Sequence, residues 1–220
     1  MILELKNICS GYLDGVDVVH NINLQLEEGS TIALLGLNGA GKSTLCQAIM
    51  NMNPHRNGEI WFEGKNVSTF STGALSQLGI SFFMSSGNTF PELSVWENMQ
   101  IAAGDRNTKA IDEVRKIFPV LNGDKGALKR KMSDKLSGGE RNQLALAMSI
   151  LSKAKLLILD EPSAGLSPTA IKTMYSILEQ LRKERALTIL LIEQSAELAQ
   201  NFCDKIYVLE NGIINKYICL

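Results

Sequence analysis

This 220-residue chain has no charge imbalance, no long apolar run and no metal-like spacing of its cysteines. Twenty-two Lys and Arg against 23 Asp and Glu leave a net charge of −1. Bulk electrostatics therefore gives no support to nucleic-acid binding, which needs clustered cations to neutralise phosphates. Lys129-Arg-Lys131 is a local basic patch and reads as a solvated loop. No stretch approaches the roughly 20 uninterrupted apolar residues of a membrane helix, and Met1-Ile-Leu-Glu-Leu-Lys6 lacks a signal-peptide pattern. The chain is thus expected to stay on the cytoplasmic side and not to cross a bilayer itself. Cys9, Cys46, Cys203 and Cys219 fit reduced thiols in a cytosolic compartment. Internal repeats and low-complexity linkers are missing too. With 45% hydrophobic residues, the chain can bury one substantial core, and a second independent domain would be cramped.

What is present begins with Gly36-Leu-Asn-Gly-Ala-Gly-Lys-Ser43. Thr31–Leu35 reads as a buried strand, and Ser43–Met50 carries apolar residues at helical spacing, so the glycine-rich turn falls between strand and helix. Gly36, Gly39 and Gly41 allow positive φ and close backbone approach, so that successive amides can face phosphate oxygens at the positive end of a helix. Lys42 is suited to the β and γ phosphates and the Ser43 hydroxyl to magnesium. The expected nucleotide-binding run is Gly36, Asn38, Gly39, Ala40, Gly41, Lys42, Ser43 and Thr44.

Leu156–Leu159 reads as a central strand delivering Asp160 and Glu161 to the ligand end of an open α/β sheet. Asp160 would hold magnesium, directly or through water, and Glu161 would polarise or deprotonate the attacking water. In isolation this would be a solvated acidic strand end; the phosphate loop upstream changes the reading. Leu136-Ser-Gly-Gly-Glu140 precedes a helical run, Arg141–Leu151. Ser137 and the amides of Gly138 and Gly139 would form a second anion seat at a helix N-terminus, one that a single bound nucleotide does not need.

In motif order and content the whole chain resembles the nucleotide-binding subunits of ATP-binding cassette transporters. It is most similar to the short ATPases of branched-chain amino-acid importers, through Phe90-Pro-Glu-Leu-Ser-Val-Trp-Glu-Asn98, Ala164-Gly-Leu-Ser-Pro168 and Ile192-Glu-Gln-Ser195. The resemblance implies a RecA-like P-loop core with an antiparallel β subdomain and an inserted α-helical subdomain. It implies ATP and Mg2+ as ligands, with Lys42, Glu161 and Gln194 as the catalytic set and Tyr12 as the adenine platform. Two such domains, identical or paralogous, would pack head to tail, so that Ser137, Gly138, Gly139 and Glu140 serve the partner's ATP. Further expected partners are transmembrane permease subunits, which dock near residues 85–96, and an external solute-binding protein. No nucleic-acid partner is expected.

Two positions depart from the wider family. Gln194 stands where a histidine is usual; its amide can donate to a phosphate but cannot shuttle a proton, which leaves Glu161 as the base. Ser85 aligns where Gln or Glu would touch magnesium and the attacking water, a reach that serine lacks without a bridging water. Slower hydrolysis or altered coupling is expected from it, unless the loop is offset.

Segment patterns place the core and β subdomain at about 1–85 and 154–220, with a helical insertion at 86–153. Gly58–Gly64 reads as a strand between glycine turns, Leu187–Ile192 as a buried strand, and Lys205–Ile214 as a hairpin around Asn211-Gly212. A soluble cassette ATPase acting on ribosomes or DNA is the alternative, although the paired cassettes or extra domains of such proteins are not visible. A small-molecule P-loop kinase would leave the Ser137 segment unexplained.

Overall fold

The computed structural model describes residues 1–84, 89–104 and 108–219, with the backbone alone for 216, 217 and 219. Its centre is a six-stranded sheet. The strands β3 (Thr31–Leu35), β6 (Ile80–Phe83), β7 (Leu156–Asp160), β8 (Thr188–Glu193) and β9 (Lys205–Glu210) run parallel, and β10 (Ile213–Cys219) is antiparallel at the edge. The order is β10-β9-β3-β8-β7-β6. Every residue of β7 and β8 is buried, as both-face coverage of a parallel sheet requires. Alternate side chains feed opposite cores: Ile32, Leu34, Ile158 and Leu190 pack on one face, and Ala33, Leu157, Leu159 and Leu191 on the other.

Register aligns the functional ends. Leu35 faces Glu193, and Asp160 faces Ile192, so residues following β3, β7 and β8 emerge along one edge of the sheet, where open α/β sheets place ligands.

A second, antiparallel sheet, β2-β1-β4-β5, comprises β2 (Val19–Leu26), β1 (Leu3–Gly11), β4 (His55–Phe62) and β5 (Lys65–Asn66). It shares a core with helix α1 (Lys42–Ile49), through Leu5, Ile8, Leu24, Leu45 and Ile49 among others. The strand expected from Gly58 starts three residues earlier, at His55. Gly58 does not bound it; with φ +90° it sits at a register shift opposite β1, where a Cβ would lie 2.4 Å from the Asn7 carbonyl oxygen. This is a bulge, which sequence alone reads as a turn.

α2 (Thr72–Leu78) leads into β6. Between β6 and β7 the described elements are helical: α3 (Val95–Ala102), α4 (Thr108–Val114), α5 (Lys125–Arg130) and α6 (Gly138–Leu151). Trp96, at the end of the segment expected to face a permease, is instead buried at 5% exposure. Lys129 and Arg130 close α5, and Lys131 pairs with Glu140 at 3.2 Å; the basic patch is thus a helix end, with Lys129 lying over the Trp96 ring. The remaining helices are α7 (Pro168–Arg185) and α8 (Ala196–Phe202). The terminal hairpin turns at Asn211 and Gly212, both at positive φ, as a two-residue turn demands.

Candidate nucleotide-binding site

The turn after β3 is locked by contacts only glycine allows. Gly41, at φ 102°, caps α1, and a Cβ there would meet Val19 Cγ1 at 2.7 Å; at Gly36 it would meet the Leu209 carbonyl oxygen at 2.5 Å. The helix N-terminus receives no side-chain cap, so its amides remain available to an anion.

Lys42, the first residue of α1, is 4% exposed. Its ammonium donates to the Gly36 and Leu37 carbonyls at 2.8 and 3.1 Å and lies 3.4 Å from Glu161 Oε1. Glu161 follows β7 at φ 48°, its N–H bonded to the Ile192 carbonyl at 3.0 Å. Its Oε2 accepts from Gln194 Nε2 at 2.9 Å, and the same nitrogen donates to Asn38 Oδ1 at 2.8 Å. Three separate chain segments thus converge on one point.

Asp160 is 7% exposed, and its Oδ1 finds no hydrogen-bond partner among the described residues. Burial raises its carboxyl above the ordinary 3.8, and the Glu161 charge adds to this; a hydrogen bond to Ser43 and the Lys42 charge oppose it. A buried carboxylate oxygen without a partner, beside a serine hydroxyl, suits a divalent cation that takes few protein ligands and completes its shell with water and phosphate. Ser43 and Asp160 therefore fit Mg2+.

Tyr12, Asn38, Gly39, Gly41, Lys42, Ser43, Thr44, Asp160 and Glu161 line one cleft of about 400 Å³, joined by Val18. Tyr12 is half exposed, and its hydroxyl accepts from Thr44 Oγ1 at 3.0 Å. Gly36 and Ala40 do not line the cleft: the Gly36 carbonyl accepts from Lys42, and Ala40 is buried, its carbonyl accepting from the Gly212 N–H at 3.0 Å. Neither Val18 nor the Thr44 contact was foreshadowed by the sequence pattern, because both depend on how the β1–β2 connection folds over the turn. Ser85 lies outside the described residues.

Ser137, Gly138, Gly139 and Glu140 do not line this cleft. Ser137 caps α6: its Oγ accepts from the Glu140 N–H at 3.3 Å, and Glu140 Oε2 accepts from the Ser137 N–H at 2.8 Å. That reciprocal box holds the Glu140 carboxyl below its usual range, with help from Lys131. α6 starts at Gly138, three residues before the run expected from sequence, because the box recruits both glycines into its first turn. Ser137 and Gly138 are exposed to solvent. Gly139 packs against α7, where a Cβ would lie 3.2 Å from that of Ala170.

A family model described as ABC transporter matches residues 19–164. The high-affinity branched-chain amino acid transport ATP-binding protein BraG of Pseudomonas aeruginosa is 34% identical over 209 residues, covering 93% of this chain and 88% of its own. The spermidine/putrescine import ATP-binding protein PotA of Mycoplasma mycoides is 32% identical, covering 98% of this chain and 60% of its own. Among solved structures, CbiO1 of Clostridium perfringens, part of the ABC transporter complex CbiONQ, superimposes with a TM-score of 0.84 at 27% identity, over 98% of this chain and 87% of that one. The chain belongs to the ABC transporter family, as one of its ATP-binding proteins.

Proposed function

We propose that this chain hydrolyses ATP as the energising subunit of a membrane importer of amino acids or similar small solutes, working as one half of a head-to-tail pair. The observation that carries the reading is the separation of the two anion seats. The cleft around Lys42 lacks Ser137–Glu140, while Ser137 and Gly138 face solvent at the start of α6. A triphosphate seated on Gly39–Thr44 would expose its γ-phosphate to the α6 N-terminus of a second copy or a paralogue. ATP would then bridge the two chains, and hydrolysis would remove the bridge.

Within the cleft, the phosphate-loop amides and Lys42 would hold the β and γ phosphates, and Tyr12 would stack on adenine. Ser43 and Asp160 would hold Mg2+, which supplies charge neutralisation at the phosphates. Glu161 would take the proton of the attacking water, and Gln194, already bonded to Glu161, would donate its amide to the γ-phosphate. Work is delivered through permease subunits at the cytoplasmic face of the membrane, with a solute-binding protein outside. The similarity to BraG supports the amino-acid class of solute.

The direct test is size-exclusion chromatography of Glu161→Gln with and without ATP. A dimer that forms only with ATP is expected. A preparation that binds nucleotide yet remains monomeric would refute the sandwich. Purification from native membranes should bring down a multi-span permease, whose associated solute identifies the cargo.

A further inference from the structure

Behind the cleft lies a polar pair that phosphate binding does not require. Tyr175, on α7, donates its hydroxyl to Glu193 Oε1 at 3.1 Å. Glu193, the last residue of β8, is 3% exposed, and its Oε2 accepts from the Gln194 N–H at 3.3 Å. It ends a strand buried along its whole length, and it does not line the nucleotide cleft. The Tyr175 ring is held edge-on to Phe202, with centroids 5.0 Å apart and planes at 71°. Burial, with the Glu193 charge beside it, pushes the phenol far above its ordinary value, so it stays a donor throughout the neutral range.

The pair touches the backbone of the residue whose side chain joins Asn38 to Glu161. A carboxamide is neutral and turns freely, so its aim depends on where its backbone is held and which acceptors it meets. A buried carboxylate is costly to retain unless it is hydrogen-bonded, and here both oxygens are engaged. We propose that Tyr175 and Glu193 are positioning residues for ATP hydrolysis, fixing the Gln194 backbone and thereby aiming its amide at Asn38 and Glu161. The proposal rests on the assignment of Gln194 to the hydrolytic site made above.

Tyr175→Phe removes one hydroxyl and keeps the ring against Phe202. Steady-state turnover is expected to fall about tenfold, as for other supports of reacting groups, with the KM for ATP within about twofold of the wild type. Glu193→Ala should match it. Glu193→Gln has one acceptor oxygen for these two donors, so it can serve the phenol or the Gln194 N–H but not both, and should recover only part of the turnover. In a Gln194→Ala background, Tyr175→Phe should have no further effect, because the group it aims is gone. Wild-type turnover in Tyr175→Phe beside a defective Gln194→Ala would overturn this proposal alone, as would an undiminished tenfold loss on top of Gln194→Ala. Wild-type turnover in Gln194→Ala itself would overturn the assignment of Gln194 and the proposal with it.

Discussion

Lys42 Nζ and Glu161 Oε1 lie 3.4 Å apart, with the lysine 4% exposed. The cation needed by an incoming phosphate is therefore already shared with the carboxylate expected to activate water. Glu161 helps hold Lys42 while the cleft is free, and it then repels the γ-phosphate that Lys42 attracts. For a pair with one partly exposed member, the competition amounts to about 1 kcal/mol. Glu161→Gln should tighten ATP binding about fivefold by titration calorimetry while abolishing turnover. Unchanged or weaker binding would mean that the contact does not oppose the nucleotide.

Asp160 has a sign opposite to most paired carboxylates. Its pKa in the folded chain is raised, chiefly by burial, so the folded state holds a proton more tightly than the unfolded state. Its contribution is present at low pH and lost as pH rises through the raised value. Above the raised value the nucleotide-free protein carries a buried charge whose Oδ1 has no partner among the described residues. Asp160→Asn should therefore raise stability without nucleotide by about 1 kcal/mol, or about 2–4 °C in Tm. The gain should be largest near pH 7 and vanish below about pH 3.8, where the wild-type carboxyl is also neutral. Thermal melts across pH with EDTA check this, and a gain independent of pH would show that charge is not the cause.

The capping box at α6 separates two roles of Ser137. Ser137→Ala removes the acceptor for the Glu140 N–H and should cost about 1 kcal/mol of stability. Glu140→Gln keeps an acceptor for the Ser137 N–H but loses the charge that this bond, and to a lesser degree Lys131, favours; its expected cost is about 0.5 kcal/mol. Both are read by urea unfolding. A larger loss in Glu140→Gln would place the value of the box in its charge.

The strand–turn–helix at Thr31–Ile49 and the two apolar strands expected at Leu156–Leu159 and Leu187–Ile192 were legible because local pattern alone dictates them, although they run to Asp160 and Glu193 in the fold. Glycine spacing, a lysine and a carboxylate pair then pointed to a common edge. Features set by strand register or by packing between distant segments were not. The bulge at Gly58 reads as a turn until β1 supplies its partner. Trp96 reads as surface until Val95, Met99 and the α6 core close over it. Tyr175 and Glu193 are 18 positions apart; the one available signal was a carboxylate ending a run of buried β-strand residues. Lys131 and Glu140 are charges from different elements that meet only in three dimensions.

Asn98 offers a test of how the loop before α3 is held. It is fully buried; its Oδ1 accepts from the Phe90 N–H at 2.7 Å, and its Nδ2 donates to the Phe90, Leu93 and Ser94 carbonyls at 3.0, 3.3 and 3.0 Å. One side chain thereby ties together three residues of a segment whose other fixed contacts are few, among them the Ser133 N–H on the Leu93 carbonyl and the Ser94–Met132 bridge. In Asn98→Ala the Phe90 carbonyl keeps the Ser133 hydroxyl, at 2.6 Å, but its N–H loses the Asn98 acceptor. An unsatisfied group and a small void together should cost about 2–3 kcal/mol, lowering Tm by about 4–12 °C in a chain of this size. Asn98→Asp should be worse at neutral pH, since it keeps the acceptor for Phe90 but turns the three donor contacts into a buried charge facing carbonyl oxygens. Acidification that protonates the new carboxyl should narrow the gap between the two variants. A Tm for Asn98→Ala within 2 °C of the wild type, or an aspartate no worse than the alanine at pH 7, would show that something other than this side chain holds the loop.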